Sequence, residues 1–438
     1  MKRLLLFVML LALALSLSGC FLEPAESLYA VPKQSEDFYN LQRAIEKVMP
    51  PRGAYSPPTS GENQQAVQLS DLDGDGEDEA IVYLKAGGSE PLSICIFAKQ
   101  EDHYELIDKI NGSGSAFDRV QYAQIDDLPG KEIVVGRRIS EQVTQTLHVY
   151  TLMNGKMVEL LNANYDEFIT TDLDSDEKTD VILLRTEGDT QKGIAEFYHW
   201  SDGQLVRQRE VRMSTPASAV KRIITGQMCQ DVPAAFVASE YGEGTIVTDV
   251  FGCVDGVFTN ISLPEDTDTS VQTVREYYVY SCDIDSDGLI ELPRLISLPS
   301  IPEDSTSENQ SLISWYNLQL DGSMEEKALT YHNYSGGWYV TVRPQWADCL
   351  TVSRAAVLDG TQGYSFSLLD GEKIKPQFTI AALTGEDRQQ LSQESDWEIL
   401  AEKGEVLYVC HVEDGSLSVE ILREMFHFIQ VDWNTGET

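Results

Sequence analysis

The feature that most limits how this chain can fold is an acidic loop that recurs just before a short apolar strand. The first copy carries Asp71, Asp73, Asp75 and Glu79 ahead of the apolar run 80–84. The second carries Asp172, Asp174, Asp176 and Asp180 ahead of 181–184, and the third carries Asp283, Asp285, Asp287 and Glu291 ahead of 292–295. Each copy sets carboxylates at loop positions 1, 3, 5 and 9. A fixed spacing between charged loop and strand marks a repeated supersecondary unit.

Two weaker copies complete the series. Residues 125–132 keep the closing carboxylate, Glu132, and the strand after it, but lose the Asp-x-Asp-x-Asp core. The closing carboxylates at 79, 132, 180 and 291 lie 53, 48 and 111 residues apart, and the last gap is two periods. A further unit is therefore expected near residue 235, where 230–238 offers a strand with its acidic loop erased. The second half of each unit reads as a hairpin: 147–156 with an Asn154-Gly155 turn, then 197–203, 250–256 and 315–322, with 94–102 in the first unit. Five units with a period near 50 thus fill residues 66–334.

A single sheet of this size cannot bury both faces, so the units are expected to pack on one another. The unit length suits one propeller blade. Carboxylates at alternate loop positions can converge on one hard cation, and glycine allows the sharp bend. An EF-hand would need Glu at position 12, where this chain has Val82, Leu183 and Arg294, and the flanks read as strands. The nine-position loop followed by a strand resembles the FG-GAP/VCBS repeats of integrin-α-like β-propellers. That resemblance implies a mainly β fold, a β-propeller of about five blades with seven as the upper count. It also implies structural calcium (Ca2+) held by the twelve carboxylates named above, with a backbone carbonyl from position 7.

The ends of the chain read differently. Met1-Lys2-Arg3 and an apolar run over 4–15 form a secretory signal, 1–19. Leu17-Ser18-Gly19-Cys20 resembles the lipobox of bacterial lipoproteins. The resemblance implies a lipid on Cys20 and a membrane anchor on the extracytoplasmic face. Residues 20–65 are expected to be a lipidated tether with one short helix, because Phe38, Leu41, Ile45 and Val48 recur at helical spacing. Residues 335–438 are expected to form a separate C-terminal α+β domain, with strands at 337–343 and 364–369. Its helices would start after Thr384 and run over 416–433, with Val419, Leu422, Phe426 and Ile429 on one face.

Composition narrows the function. The 438 residues hold 71 acidic and 32 basic side chains, a formal charge of −39. Such a surface lacks the cations that grip a phosphate backbone, so nucleic acid is excluded as a partner. The six cysteines after Cys20 show no Cys-x-x-Cys spacing, and no His-x-x-x-His pair, nucleophile elbow or P-loop occurs. His148 and His199 fall in equivalent hairpin strands and read as packing residues. No acidic loop contains a histidine or a nucleophile, so calcium is expected to be structural. The expected function is recognition of an extracellular protein or glycan ligand by loops on one propeller face. A carbohydrate-active enzyme using paired carboxylates, or a purely structural envelope module, are the alternatives.

Overall fold

The computed structural model describes residues 36–430 apart from 140–144, 189, 277–278, 300–310, 358–360, 372, 393–396, 414 and 416. The expected signal segment 1–19 and Cys20 lie outside the described residues. The described chain is mainly β: six antiparallel sheets, formed almost in chain order, with three short helices.

The first sheet is built on Glu79–Lys85, Leu92–Gln100 and His103–Gly112, with Val67–Ser70 and Ala54–Tyr55 both paired to its first long strand. The second runs Ala116–Ala123, Glu132–Arg138, Gln145–Met153, Lys156–Tyr165. The third runs Glu167–Thr171, Asp180–Thr186, Gly193–Ser201, Gln204–Arg212. The fourth runs Val220–Cys229, Val232–Gly242, Thr245–Val254, Val257–Asn260. Each of these four sheets is thus formed by consecutive strands of one stretch of chain.

Local chemistry explains the hairpins. Asn154 and Gly155, Asp202 and Gly203, and Asp255 and Gly256 all have positive φ, the pairing that twists a two-residue turn to match its strands. The same one-residue register shift interrupts the hairpin at Ile96/Phe97, Val149/Tyr150, Phe197/Tyr198, Trp315/Tyr316 and Phe366/Ser367. A bulge repeated in five of the six sheets adds local twist at one position of each.

The strands after the acidic loops are buried on both faces, so alternate residues serve different cores. Ile81 and Tyr83 pack with Phe117, Ile133 and Val135 of the second sheet, whereas Ala80, Val82 and Leu84 pack beneath the helix Glu36–Val48. Val134 and Val149 join Phe168, Val181 and Leu183 of the third sheet. Ile182 and Phe197 join Val237 and Phe251 of the fourth, and Phe236 and Val250 join Leu292 and Tyr316 of the fifth. Each sheet thus shares a core with the next one along the chain.

Two expectations change and a third is extended. Of the segment 20–65, residues 36–65 are described, and they pack on the sheets as the apolar face of the helix requires. Its helix forms, with Leu41, Ala44 and Ile45 against the first sheet, although Phe38 is left exposed. The stretch after the helix is woven into the sheets, since Ala54–Tyr55 pairs with Leu84 and Lys85, and the Ser60 N–H donates to the Asp118 carbonyl. The proposed boundary at 334/335 falls inside the fifth sheet, which runs Leu292–Ser297, Ser311–Leu318, Met324–Asn333, Trp338–Thr341, Phe426–Phe428. The sixth sheet (Leu350–Ala356, Gln362–Asp370, Lys373–Leu383, Val406–Val412, Glu398–Lys403) shares one core with the fifth through Leu312, Trp338, Phe366 and Phe378. Residues 335–430 are therefore not a separate α+β domain but continue the sheet series.

Nor does the helix expected over 416–433 run its length. It spans Val419–Met425, capped by the Ser418 hydroxyl on the Ile421 N–H, and gives way to a strand. Phe426, His427 and Phe428 pair with Val340, Tyr339 and Trp338, and Trp338 lies against Phe426 with ring centroids 5.7 Å apart. Burial of aromatics against an open strand edge overrides the helical spacing that the sequence offers.

Candidate metal centres

The three intact loops share one backbone. Position 1 does most to shape it: Asp71 accepts from the N–H groups of Gly74 (2.6 Å) and Gly76 (3.0 Å), Asp172 from Asp176 and Glu177, and Asp283 from Asp287 and Gly288. Positions 4 and 6 have positive φ in each, at Gly74 and Gly76, Ser175 and Glu177, Ser286 and Gly288. Glycine suits that region best, so Ser175, Glu177 and Ser286 hold it against the preference of their side chains. Position 2 plugs the core, with Leu72, Leu173 and Ile284 all buried.

Position 9 closes the loop from below. Glu79 accepts from the Leu72 N–H at 2.8 Å, Asp180 from Leu173 at 2.8 Å, and Glu291 from Ile284 at 3.0 Å. These carboxyls are buried. Burial pushes Glu79 up to about 7, Asp180 up to about 8 and Glu291 up to about 7; the backbone N–H bonds oppose the shift, and the neighbouring aspartates add to it. Each loop thus stores a carboxyl that would ionise more readily beside a positive charge.

The folding brings positions 1, 3 and 9 together. In the sets Asp71, Asp73 and Glu79; Asp172, Asp174 and Asp180; and Asp283, Asp285 and Glu291, one oxygen per residue lies within 4.8 Å of the others. Asp75, Asp176 and Asp287 stand outside these sets and instead accept from the backbone N–H of Glu77, Lys178 and Leu289. An all-oxygen, carboxylate-rich group of this kind fits calcium. Magnesium demands a tighter octahedron and keeps more of its water.

Two partners escaped the sequence reading. His199, read as packing, stacks on Phe197 but also places Nδ1 3.3 Å from Asp174 Oδ2. Asn317 donates to the second oxygen of Glu291 at 2.6 Å. Both stand across the sheet from a closing carboxylate, since Val181 pairs with Tyr198 and Leu292 with Tyr316. That pairing is regular and the bulge lies in the following hairpin, so the placement comes from strand pairing alone and nothing in the local sequence announces it.

The worn second loop starts one residue earlier than the sequence pattern indicated. Ile125 donates to Glu132 at 2.6 Å just as Leu72 does to Glu79, so Gln124 occupies position 1, Asp126 position 3 and Glu132 position 9. The Gln124 amide donates to the carbonyls of Asp126 (3.1 Å) and Leu128 (2.6 Å), tying the loop across its middle. Burial pushes Glu132 up to about 7 as well.

Consecutive loops are laced together. The N–H just before each closing position donates to the position-1 carbonyl of the preceding loop: Lys131 to Asp71 (3.0 Å), Thr179 to Gln124 (2.6 Å) and Ile290 to Gln227 (2.8 Å). The contact is close enough that a Cβ on Gly130 would lie 2.5 Å from the Leu72 carbonyl oxygen. Gln227 serves as position 1 of the fourth unit, whose Ala234 pairs with Gly226 where the other units have a closing carboxylate.

No protein-family model matches this chain, and no curated protein matches it. Among solved structures it is similar to the Bacillus licheniformis rhamnogalacturonan lyase PL11, at 12% identity over 75% of this chain and 73% of that one, with a TM-score of 0.27. It is similar to the rhamnogalacturonan lyase YesW at 13% identity over 74% of each chain, TM-score 0.27. It is also similar to Saccharomyces cerevisiae Sqt1 at 8% identity over 69% of this chain and 84% of that one, TM-score 0.31. Likeness at this level defines neither a topology nor an activity.

Proposed function

We propose that this chain is an extracytoplasmic lipoprotein, tethered to the membrane through lipid on Cys20, whose sheets are blades of a calcium-stabilised β-propeller of the FG-GAP/VCBS kind. Its loop-bearing face recognises an extracellular glycan or protein ligand. The observation that carries this reading is the threefold recurrence of one loop backbone that converges carboxylates from positions 1, 3 and 9. Calcium bound there would neutralise the repulsion among those carboxylates and fix the loop conformation. The chain's own residues supply the rest, through position-1 caps, closing carboxylates and the lacing between loops.

Calorimetric titration of the chelator-treated full chain with calcium tests it. Three ions per chain and a raised melting temperature, reversed by EDTA, are expected. A chain that takes up no calcium and melts identically with and without EDTA defeats the reading.

A further inference from the structure

The lacing between loops has one gap, and the gap is a cleft. At the junction of the third and fourth sheets, the residue that should donate to the Asp172 carbonyl is Pro233, which has no N–H. Among the described residues, no hydrogen bond reaches that carbonyl. A cavity of about 350 Å³ opens there, lined by Thr171, Asp172, Ser175, Thr225, Gln227 and Pro233 together with Gly226. The Gln227 Oε1 atom is shielded from solvent and has no hydrogen-bond partner. An unpaired carbonyl and three side-chain hydroxyls therefore belong to the residues that line this cleft, with the Gln227 carboxamide oxygen buried behind the surface.

That inventory decides what chemistry fits. No lining residue is basic, so an anion would find no counter-charge beside an already acidic protein. No lining residue is aromatic, and hydroxyls, a carboxamide and backbone dominate the wall, which disfavours an apolar ligand. The Asp172 carboxylate is turned to its own loop, where it belongs to the set proposed for calcium, so the cleft offers a second cation no carboxylate of its own. What remains is a neutral molecule dense in O–H donors. Sugar hydroxyls can replace the bonds that water makes to such acceptors and release that water to bulk. The volume lies at the small end of ligand-sized clefts, roughly 300–1,000 Å³.

We propose that this cleft is a subsite for a neutral saccharide, one or two rings long, whose hydroxyls donate to the Asp172 carbonyl and bond the hydroxyls of Thr171, Ser175 and Thr225. The proposal rests on the glycan arm of the recognition reading and gives it an address. It arises from the loss of the acidic loop in the fourth unit, which put Pro233 where the other units have a donor.

The test uses the full chain in calcium, with lactose, maltose and cellobiose as probes in ligand-observed saturation-transfer NMR and glucuronic acid as the anionic control. The expected result is binding of at least one neutral disaccharide with a dissociation constant on the order of 1 mM, and none of glucuronic acid. Thr225→Trp should fill the cleft from an exposed strand position and weaken binding at least tenfold, with the melting temperature kept as the folding control. Pro233→Ala restores an N–H at the gap and should weaken binding severalfold. Absence of binding by all three disaccharides overturns the proposal, as does binding unchanged in Thr225→Trp. Calcium stoichiometry on the same sample reports separately on the proposed calcium role. Glycan binding that survives Thr225→Trp would overturn the subsite while leaving recognition standing.

Discussion

The loops 172–180 and 124–132 are neighbours, joined by the Thr179 N–H on the Gln124 carbonyl, and they solve one problem in two ways. Both fold a nine-residue connection over a buried apolar plug, Leu173 or Ile125, and both close it with a buried carboxyl. In the first, Asp172, Asp174 and Asp180 converge, a set that a cation can bridge. In the second, the amide of Gln124 reaches across and bonds two carbonyls of its own loop. Outside the loop, Asp127 is held by Trp200 Nε1 at 2.7 Å and by Lys178 Nζ at 3.3 Å, both from the third unit. The comparison teaches that a nine-residue connection can be held in two ways: with positive φ at positions 4 and 6 and converging carboxylates, or, with Asp127 and Pro129 at those positions, by a side-chain amide bonded across the loop.

The largest test of this contrast removes the closing carboxylates. Asp180→Ala strands the buried Leu173 N–H and deletes a candidate ligand, and should cost about 3 kcal/mol. Glu132→Ala strands the Ile125 N–H in the same way. Chemical denaturation with and without calcium separates them: the Asp180 deficit should grow in calcium, and the Glu132 deficit should not. Equal calcium responses would erase the distinction.

Acidity gives the next test. The folded closing carboxyls sit near 7 to 8, above their ordinary values of 3.8 and 4.5. Folding then holds protons that the unfolded chain releases, so in EDTA stability is full below about pH 4 and is lost as pH rises through 7 to 8. A fall in melting temperature on the order of 5 °C between pH 5 and pH 8 is expected. Saturating calcium binds the ionised form and should flatten or invert that slope in the three intact loops. A melting temperature flat with pH in EDTA would contradict the buried state of these groups.

A gain of function is sharper though smaller. Changing Gln124→Asp together with Leu128→Asp rebuilds the pattern in the second loop, at a position where Leu128 is already exposed. Calcium stoichiometry should rise by one ion; an unchanged count would mean that the backbone of this loop has diverged too far. Gln124→Ala alone removes the staple and should cost about 1 kcal/mol. The smallest effect belongs to Lys178→Ala, whose exposed pair with Asp127 should barely move the melting temperature at physiological salt.

Much of this was legible from residue order. The turns at Asn154-Gly155, Asp202-Gly203 and Asp255-Gly256 follow from dipeptides that tolerate positive φ, and the helix Glu36–Val48 from its apolar spacing. The nine candidate ligands that converge were named by their loop spacing, because one loop of covalent chain suffices to bring positions 1, 3 and 9 together. Gln124 was missed because a pattern of acids does not register an amide that takes over the position. His199 and Asn317 were missed because their place opposite a closing carboxylate depends on the register in which the next strand pairs. The carboxy-terminal expectation failed for a related reason: Phe426 and Phe428 satisfy a helical period and a strand period alike, and only the open edge at Trp338–Thr341 decides between them.

By itself, the sequence determined the repeated unit, its turns, its acidic loops and its hydrophobic strands, because each depends on forces acting over a few bonds. The tertiary structure decided which sheets share a core, that the chain's last third extends the series, and that loops lace to one another everywhere along the first five units except at Pro233. Those outcomes turn on register and on contacts between residues tens to hundreds of positions apart. There, burial of shared faces outweighs local preference, and the junction that lacks a donor N–H at Pro233 carries a cleft that composition alone does not reveal.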